Sequence, residues 1–357
     1  MNTWSITLAL LLSFLSNTSA PSAMNEPAPT PVYAQPKEEL RLSFPVVSDI
    51  HVQSDNKASQ TKLAAALQDL HEISPDAGAL IINGDLTNGR NGDYARLKTI
   101  LNTYPHPANV WSTIGNHEFY KAWYDASGRW NPDGFPNGET EDASISRFLQ
   151  FNGESSIYYE KTLSGYHFIF LGSEQYRQSN PDNKEDAYLS EAQLDWLKQT
   201  LNKDAQEGQP IFIFLHQPLP DTVAGTSNFI NNRAIVQHQE LQSILSAYPQ
   251  VILFTGHTHW ELNSKNTLAK GAFTMINTSS VEQPWTADDT GTGKEADAKA
   301  SEGLLVDVYN DKVVVRGRDF AQKRWVPEAQ FTIPAAAPET KNKLKTILTL
   351  PLPEALG

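Results

Sequence analysis

Five separate apolar segments of the sequence each end in residues that can bind a metal ion. This pattern constrains the fold more than any other feature of the chain. The residues that follow the five segments are Asp49 and His51, Asp85, Asn116 and His117, His216, and His257 with His259. In α/β sheets, ligands collect beyond the carboxyl ends of the strands. The order of segments therefore predicts strands whose ends bring these side chains into one pocket.

The stretches between these segments have the patterns of helices and hairpins. Residues 57–73 and 94–102 are predicted to be helical, and Ser190 is predicted to begin a further helix because Gln193 follows three residues later. Turn residues predict one hairpin around residues 164–165 and another around residues 310–311. Strands that alternate with helices indicate an α/β domain with largely buried sheets. Residues 282–301, rich in Thr, Gly, Ala and Asp, are predicted to be a surface loop.

The spacing of the candidate ligands supports a shared pocket. Asp49 and His51 are two residues apart, as are His257 and His259, and on an extended backbone such pairs point to the same side. Glycines in the same turns permit tight bends and a close approach of the backbone to an ion: Gly84, Gly115 and Gly256. Each motif alone is weak. Together they predict a metal or catalytic site rather than a structural coincidence.

The amino-acid composition limits the kinds of metal site and binding partner that the chain can have. The chain has no cysteine, which excludes disulfides, thiolate metal sites and a cysteine nucleophile. Nitrogen and oxygen ligands suit Mn, Fe, Zn or Mg. The net charge of -13 disfavours binding to duplex nucleic acid, although it is also compatible with simply keeping an exported protein soluble. A small phosphorylated substrate remains compatible because bound cations reverse the field locally.

The chain is predicted to consist of four parts. Residues 1–23 are predicted to be a signal peptide, because the apolar run at 6–15 is shorter than the roughly 20 residues that span a bilayer and small residues follow it. The first five residues contain no Lys or Arg, and a buried N-terminal helix is the alternative. Residues 24–41 are predicted to be a flexible linker, 42–333 the catalytic domain, and 334–357 a tail of unknown role in which 341–350 could form a short helix or strand. We expect a secreted, periplasmic or cell-surface protein without stable membrane insertion.

The motifs at the ends of the five segments resemble, in type and order, those of the calcineurin-like metallophosphoesterase superfamily. The resemblance covers roughly residues 42–320, and its motifs are Asp-x-His, Gly-Asp, Gly-Asn-His-Glu, a single His and Gly-His-x-His. The resemblance is to a secreted, bacterial-type member. It implies a four-layer αββα sandwich in which two mixed β-sheets are flanked by helices. It also implies two divalent or mixed-valence metal ions, such as Mn, Fe or Zn.

The resemblance also implies a role for each motif residue. The first metal would be held by Asp49, His51 and His259, and the second by Asn116, His216 and His257. Asp85 would bridge the two ions, since a carboxylate has two oxygens. His117 would be catalytic rather than a ligand, and would protonate the leaving group or stabilise the transition state.

Position 88 departs from the pattern of many family members. They have an Asp there that orients the catalytic histidine, whereas this chain has Asn88, so His117 is expected to lack a carboxylate partner. Purple acid phosphatases have Tyr at that position and Gly in place of His51. The chain has neither, and is therefore not assigned to that subgroup.

The expected function is hydrolysis of phosphate monoesters or diesters, with a metal-bridging hydroxide as the nucleophile. A narrower alternative is a phosphodiesterase for cyclic nucleotides or glycerophosphodiesters. The alternative from another class is a non-catalytic extracellular metal-binding module, which the presence of the non-ligand His117 disfavours. Residues 119–142, Arg233 and Trp285 are candidates for the substrate rim, although packing on the domain is the favoured interpretation of each aromatic in that segment. Sequence gives no signal for the oligomeric state.

Overall fold

A computed structural model describes residues 39–205, 208–227, 235–287 and 293–335. The first of its two large sheets is mixed. Its strands, in spatial order, are β14 (Arg324–Pro334), β13 (Lys312–Asp319), β12 (Glu302–Val308), β1 (Leu42–Val47), β2 (Leu80–Asn83) and β3 (Val110–Thr113). Strands β1, β2 and β3 are parallel, whereas β12, β13 and β14 form an antiparallel meander that joins the sheet at β1. The hairpin predicted around residues 310–311 connects β12 to β13.

The second sheet is also mixed and also has six strands among the described residues. In spatial order they are β4 (Tyr159–Leu163), β5 (Tyr166–Phe170), β6 (Ile211–Phe214), β7 (Val251–Thr255), β9 (Thr274–Asn277) and β8 (Leu268–Lys270). The central strands β5, β6, β7 and β9 are parallel, so their carboxyl ends lie at one edge. The first two strands form the hairpin predicted around residues 164–165.

Five α-helices accompany the sheets in the described part of the chain. They are α1 (Lys57–Ile73), α2 (Asn91–Thr103), α3 (Glu141–Asn152), α4 (Glu191–Asp204) and α5 (His238–Ser246). The predicted bounds of α1 are confirmed, and α2 begins three residues before and ends one residue after its prediction. Ser190 caps α4 as expected, since its Oγ accepts a hydrogen bond from the Gln193 amide at 3.2 Å.

Alternating burial along the strands produces four layers. On β1, Phe44 and Val46 face the second sheet, and the Phe44 ring meets that of Phe212 edge-on at 5.0 Å. The next residue, Val47, points the other way into a cluster with α1, α2 and α3. On β6, Ile213 likewise points away from the first sheet, toward α4 and α5. The predicted αββα sandwich with two mixed sheets is therefore confirmed.

Residues 282–301 differ from the prediction of a plain surface loop. They contain a small hairpin of β10 (Trp285–Ala287) and β11 (Gly293–Glu295), with Trp285 paired to Glu295. The backbone of Gly293 lies so close to the Trp260 ring that a Cβ there would come within 2.4 Å of it. The segment is held by this aromatic contact, which a composition rich in small residues does not reveal.

Several predictions fall outside the described residues. These are the signal peptide, most of the linker, Arg233 and the short element at 341–350. The limits of the catalytic domain stay a prediction as well. Among the described helices, none is long and apolar enough to cross a membrane.

Candidate metal centre

The carboxyl-terminal edges of the two sheets are joined at Asn83, the last residue of β2. Its side-chain Nδ2 donates a hydrogen bond to the Phe254 carbonyl oxygen on β7 at 3.1 Å. Its own carbonyl oxygen accepts one from His216 Nδ1 at 2.8 Å, directly after β6. Because the edges are fastened to each other in this way, the turns after β1, β2, β3, β6 and β7 meet in one place.

The first group of side chains in this place consists of Asp49, His51, Asp85 and His259. One ligand atom from each lies within 4.8 Å of the others. His259 Nε2 is 2.9 Å from Asp49 Oδ1 and 3.1 Å from His51 Nε2. These residues follow strands of both sheets, as the sequence order predicted.

The second group consists of Asp85, His216 and His257, again with ligand atoms within 4.8 Å of one another. The two groups share Asp85. Its Oδ2 is 3.1 Å from His216 Nε2 and 3.8 Å from His51 Nε2, so a single oxygen faces both groups. The other oxygen, Oδ1, accepts a hydrogen bond from the His117 amide at 2.9 Å. The bridging role of Asp85, like the assignment of individual ligands, stays a prediction.

Buried polar atoms in the cluster show whether these residues fit a metal pair. Asn116 Oδ1 is fully buried and has no hydrogen-bond donor. Asp49 Oδ1 and His216 Nε2 are also buried and lack a well-aligned hydrogen bond. Buried polar groups are normally satisfied, and leaving them unpaired costs about 1–3 kcal/mol each. Cations among these atoms would satisfy them, so the donor set fits two metal ions held by nitrogen and oxygen.

Electrostatics in the cluster favour positive charge. Burial alone would raise the pKa of Asp49, but the imidazoles of His259 and His216 lower it below its ordinary range. For His216, burial opposes protonation, yet Asp85 and Asp49 raise its pKa to about 10. Burial lowers the pKa of His51 to about 3. The two carboxylates thus remain ionised in a buried site, which attracts cations.

The backbone conformation at the candidate ligands differs from the extended conformation that was predicted from the sequence. Five candidate ligands have positive φ angles: Asp49 at 51°, His51 at 39°, Asp85 at 50°, His257 at 68° and His259 at 57°. The expectation that an extended backbone points the residues of each pair to the same side is therefore wrong. Residues other than glycine in this region cost about 1–3 kcal/mol each and cluster at functional sites.

Two glycines of the turns lie against carboxylates of the cluster, whereas the close approach of the backbone to an ion stays a prediction. A Cβ on Gly115 would lie 2.2 Å from Asp85 Oδ1. A Cβ on Gly256 would lie 1.9 Å from Ser48 Oγ and 2.5 Å from Asp49 Oδ2. Only glycine leaves room for the two carboxylates at these positions.

His117 lies at the start of a 3-10 helix (His117–Trp123) that follows β3. Its Nδ1 donates a hydrogen bond to Asn88 Oδ1 at 2.9 Å, so the partner at position 88 is a neutral amide, in line with the expected lack of a carboxylate. Its Nε2 is 3.8 Å from Asp85 Oδ2. The Tyr120 ring stacks on the imidazole at 3.7 Å, and burial lowers the pKa of His117 to about 4. These contacts fix the ring with Nε2 toward the cleft.

The last residue of the Gly-Asn-His-Glu motif, Glu118, has a structural role that sequence reasoning missed. Its carboxylate is fully buried and accepts hydrogen bonds from the Gly115 amide at 2.8 Å and the Thr87 amide at 3.0 Å. Burial raises its pKa to about 8, and the nearby Asp85 adds to the rise. Glu118 therefore connects the turns after β2 and β3.

A cleft of about 300 Å³ opens from the cluster to solvent. Two of the rim candidates line it, Tyr120 and Trp285, together with Glu185 and Gln283, for which no sequence motif gave a signal. Other aromatics of residues 119–142 pack on the domain, as the favoured interpretation has it, since the Phe119 ring stacks on that of Tyr176 at 5.5 Å and Trp123 Nε1 donates to the Tyr176 hydroxyl at 3.2 Å. None of the described residues that line the cleft is Lys or Arg.

An αββα sandwich with two groups of His and Asp that share one carboxylate defines a metal-dependent hydrolase. The sequence profile of the calcineurin-like phosphoesterase family matches residues 42–261. The chain belongs to this family and is a metal-dependent phosphoesterase, with Asp and His residues positioned for metal binding.

Similar proteins agree with this assignment. A manganese-dependent ADP-ribose/CDP-alcohol diphosphatase from Xenopus laevis is 24% identical over 351 residues, covering 82% of this chain and 92% of the relative. The crystal structure of a dimetal phosphatase from Danio rerio has a TM-score of 0.58 at 16% identity, covering 84% of this chain and all of that one. A purple acid phosphatase from yellow lupin (Lupinus luteus) seeds has a TM-score of 0.55 at 11% identity, covering 84% of this chain and 55% of that one. These two structures share the fold.

Proposed function

We propose that the chain holds two metal ions through seven side chains and hydrolyses phosphate esters of small molecules. The first ion would be held by Asp49, His51 and His259, the second by Asn116, His216 and His257, and both by Asp85. The observation that carries the proposal is the pair of ligand groups that share Asp85. The unpartnered, buried Asn116 Oδ1 beside them supports it.

Two imidazoles are already oriented for metal binding. His216 Nδ1 donates to the Asn83 carbonyl oxygen and His259 Nδ1 to the Gln283 carbonyl oxygen, both at 2.8 Å. Each ring holds its Nδ1 proton in this way, so a cation that displaces the proton from Nε2 would meet the lone pair of that nitrogen. When bound, a metal pair polarises the phosphoryl oxygens and lowers the pKa of water. The cleft residues then orient the ester.

His117 would act at the leaving oxygen. Its Nε2 faces the cleft, and its Nδ1 is held by Asn88, so the ring cannot turn away without losing that bond. Since Nδ1 keeps its proton for Asn88, the ring would have to act as an imidazolium, a form that the negative charge of a bound phosphate would favour. From Nε2 the imidazolium would give a proton to the leaving alcohol or stabilise the developing charge by a hydrogen bond. Because no Lys or Arg lines the described cleft, the charge of the phosphate would be met by the metal ions and this imidazole.

For the substrate, we propose diphosphate-linked nucleosides, in which the scissile phosphate carries a bulky group. The Xenopus relative is named for activity on such molecules. The cleft extends from the metal ligands to the aromatic side chains Tyr120 and Trp285, which suit a base or sugar. Its volume of about 300 Å³ is at the lower end for small-molecule sites.

The test compares substrates on the purified chain loaded with Mn²⁺. We expect hydrolysis of ADP-ribose or CDP-choline to exceed that of p-nitrophenyl phosphate, with bis(p-nitrophenyl) phosphate cleaved as a generic diester. Asp85→Asn and His216→Ala should abolish all these activities. His106→Ala is the matched control, because both ring nitrogens of His106 bond backbone oxygens away from the cluster. Full activity in both site variants would refute the proposed metal centre, whereas a preference for the monoester would refute only the substrate class.

We also propose that the protein is exported, on the basis of the apolar run at residues 6–15 and the small residues at 20 and 23. The full-length chain expressed in a bacterial host should be recovered outside the cytoplasm with a new N-terminus near residues 21–24. Deletion of residues 2–23 should retain it inside. Recovery of the full-length chain with an intact Met1 in the cytoplasm would contradict export.

A further inference from the structure

We infer that Glu185 is a positioning residue for the metal centre, which turns the amide of Asn116 so that its oxygen faces the ions. The inference rests on the proposed metal role of Asn116. It concerns a side chain that lies 69 positions away in the sequence, on the segment between β5 and α4.

The contact between the two side chains fixes which end of the amide faces the metal cluster. Asn116 Nδ2 donates a hydrogen bond to Glu185 Oε2 at 2.8 Å. A carboxylate only accepts hydrogen bonds, so the amide must offer its NH₂ group to Glu185. The opposite end, Oδ1, is buried and has no donor. If the amide were turned over, two oxygens would face each other and NH₂ would point toward the site of a cation.

Glu185 is itself held firmly. Its Oε1 accepts a hydrogen bond from the Tyr176 hydroxyl at 3.0 Å and a charge-assisted one from the Arg177 guanidinium. Its carbonyl oxygen accepts one from Gln217 Nε2 at 3.2 Å, next to His216. Only 16% of its side chain is exposed. Arg177 offsets the charge of the carboxylate, so Glu185 can lie beside the cluster without serving as a ligand.

The same carboxylate oxygen also supports the proposed proton donor. Tyr120 donates its hydroxyl to Glu185 Oε2 at 3.2 Å, and the Tyr120 ring stacks on the imidazole of His117. Burial raises the pKa of Tyr120 well above its ordinary value, with the charge of Glu185 adding to the rise, so the phenol remains a donor. Glu185 therefore contacts both Asn116, the proposed metal ligand, and Tyr120, whose ring stacks on His117.

The competing explanation is that Glu185 only anchors its own segment. Glu141 provides a matched control, because its Oε1 accepts hydrogen bonds from the Tyr176 amide at 2.5 Å and the Ser179 amide at 3.0 Å on the same segment. It does not line the described cleft. A variant that merely loosens the segment should therefore behave like Glu141→Ala.

The first experiment strips metal from the full chain and titrates it with Mn²⁺ alone, following binding by calorimetry and free Mn²⁺ by electron paramagnetic resonance. Partners that orient a metal ligand typically contribute 10–100-fold to affinity. We expect Glu185→Ala to weaken the second Mn²⁺ site by at least about 10-fold. Glu185→Gln, which keeps an acceptor oxygen, should weaken it less, and Glu141→Ala should leave it unchanged. Equal affinities in all three variants would overturn the inference.

A second experiment exchanges the hydrogen-bond donor and acceptor between positions 116 and 185. It does not require the Glu185→Ala variant to fold. Asn116→Asp alone places two carboxylates side by side and should weaken the second Mn²⁺ site. Adding Glu185→Gln supplies an NH₂ donor to the carboxylate introduced at position 116 and should restore the affinity of that site by at least about 10-fold. Beside the native Asn116, the same Glu185→Gln change is expected to weaken Mn²⁺ binding. The effect of Glu185→Gln on Mn²⁺ affinity would thus change sign with the residue at position 116, which requires direct contact between the two side chains. If the effects of the two substitutions on affinity are additive instead, the inference is overturned.

Asn116→Ala separates this inference from the proposed function. If Asn116→Ala still binds two Mn²⁺ ions with unchanged affinity, the metal role of Asn116 fails and the inference fails with it. If Asn116→Ala loses one ion while both Glu185 variants bind two as tightly as the native chain, only the positioning role of Glu185 is refuted.

Discussion

Gly115→Ala should inactivate the enzyme through a clash with one carboxylate. The new Cβ would lie 2.2 Å from Asp85 Oδ1 and 2.5 Å from the Asp85 backbone nitrogen. Ordinary contact begins at 3.4 Å, so Asp85 or the turn that carries Gly115 has to move by about 1 Å. A displacement of this size in a reacting site can lower the rate about 100-fold. Overpacking in a dense core also costs about 1–3 kcal/mol of stability.

The Gly115→Ala variant is assayed for turnover of bis(p-nitrophenyl) phosphate, bound Mn²⁺ by elemental analysis, and thermal unfolding. We expect at least about a 100-fold loss of kcat/KM, with less than two Mn²⁺ ions per chain at limiting metal. Gly271→Ala is the control, because its Cβ would meet nothing closer than 3.8 Å and its φ angle is not in the left-handed region. A Gly115→Ala enzyme with native activity and two tightly bound ions would show that the shared carboxylate tolerates the displacement, and would refute the argument.

Three further variants test separate parts of the structure. Asp85→Asn should reduce Mn²⁺ content and activity together, and normal metal content by elemental analysis would contradict a shared ligand. His117→Ala should lower kcat about 10²–10⁴-fold with metal content unchanged, whereas loss of metal would show that this histidine is a ligand. Glu302→Gln should stabilise the chain at pH 8 but not at pH 4. Burial, together with the charges of Glu261 and Asp319, raises the pKa of Glu302 from 4.5 to about 7, so the contribution of the protonated carboxyl to stability is present below pH 4.5 and lost as pH rises through 7. The shift corresponds to about 3 kcal/mol, and equal denaturant midpoints for Glu302→Gln and the native chain at pH 8 would refute it.

The sequence predicted the layers and the set of candidate ligands because both depend on local patterns. A strand buried on both faces is a short apolar run, and β6 and β7 are such runs, each followed closely by a histidine. The order of elements then places the carboxyl ends of parallel strands at one edge. Helix α1 was predicted with its full length because its apolar spacing is regular and Asn56 caps it, with Oδ1 accepting from the Ala58 amide at 3.0 Å.

Features that depend on contacts between distant segments were not predicted. Glu185 belongs to no motif, and its importance arises only when the segment after β5 meets the turn after β3. The hairpin that contains Trp285 depends on Trp260, since a run of small residues has no strand pattern of its own. Helices α3 and α5 were not predicted, although the αL glycine after α3, Gly153 at a φ of 77°, is a recognisable stop signal.

The positive φ angles of the candidate ligands explain why Asp85→Asn is a sharper test than Asp85→Ala. The two carboxylate oxygens of Asp85 have different contacts. Oδ1 accepts a hydrogen bond from the His117 amide and stabilises the turn, whereas Oδ2 faces the imidazoles. Asparagine tolerates the left-handed backbone and keeps an oxygen for the turn, so it removes chiefly the oxygen that faces the ions. Alanine loses the turn bond as well and bears a left-handed cost of roughly 1–2 kcal/mol. Without metal, Asp85→Asn should therefore unfold at a higher denaturant concentration than Asp85→Ala, while both fail to bind Mn²⁺ normally. Equal unfolding midpoints would show that Oδ1 does not stabilise the turn, and would refute the claim that the two oxygens of Asp85 have separate roles.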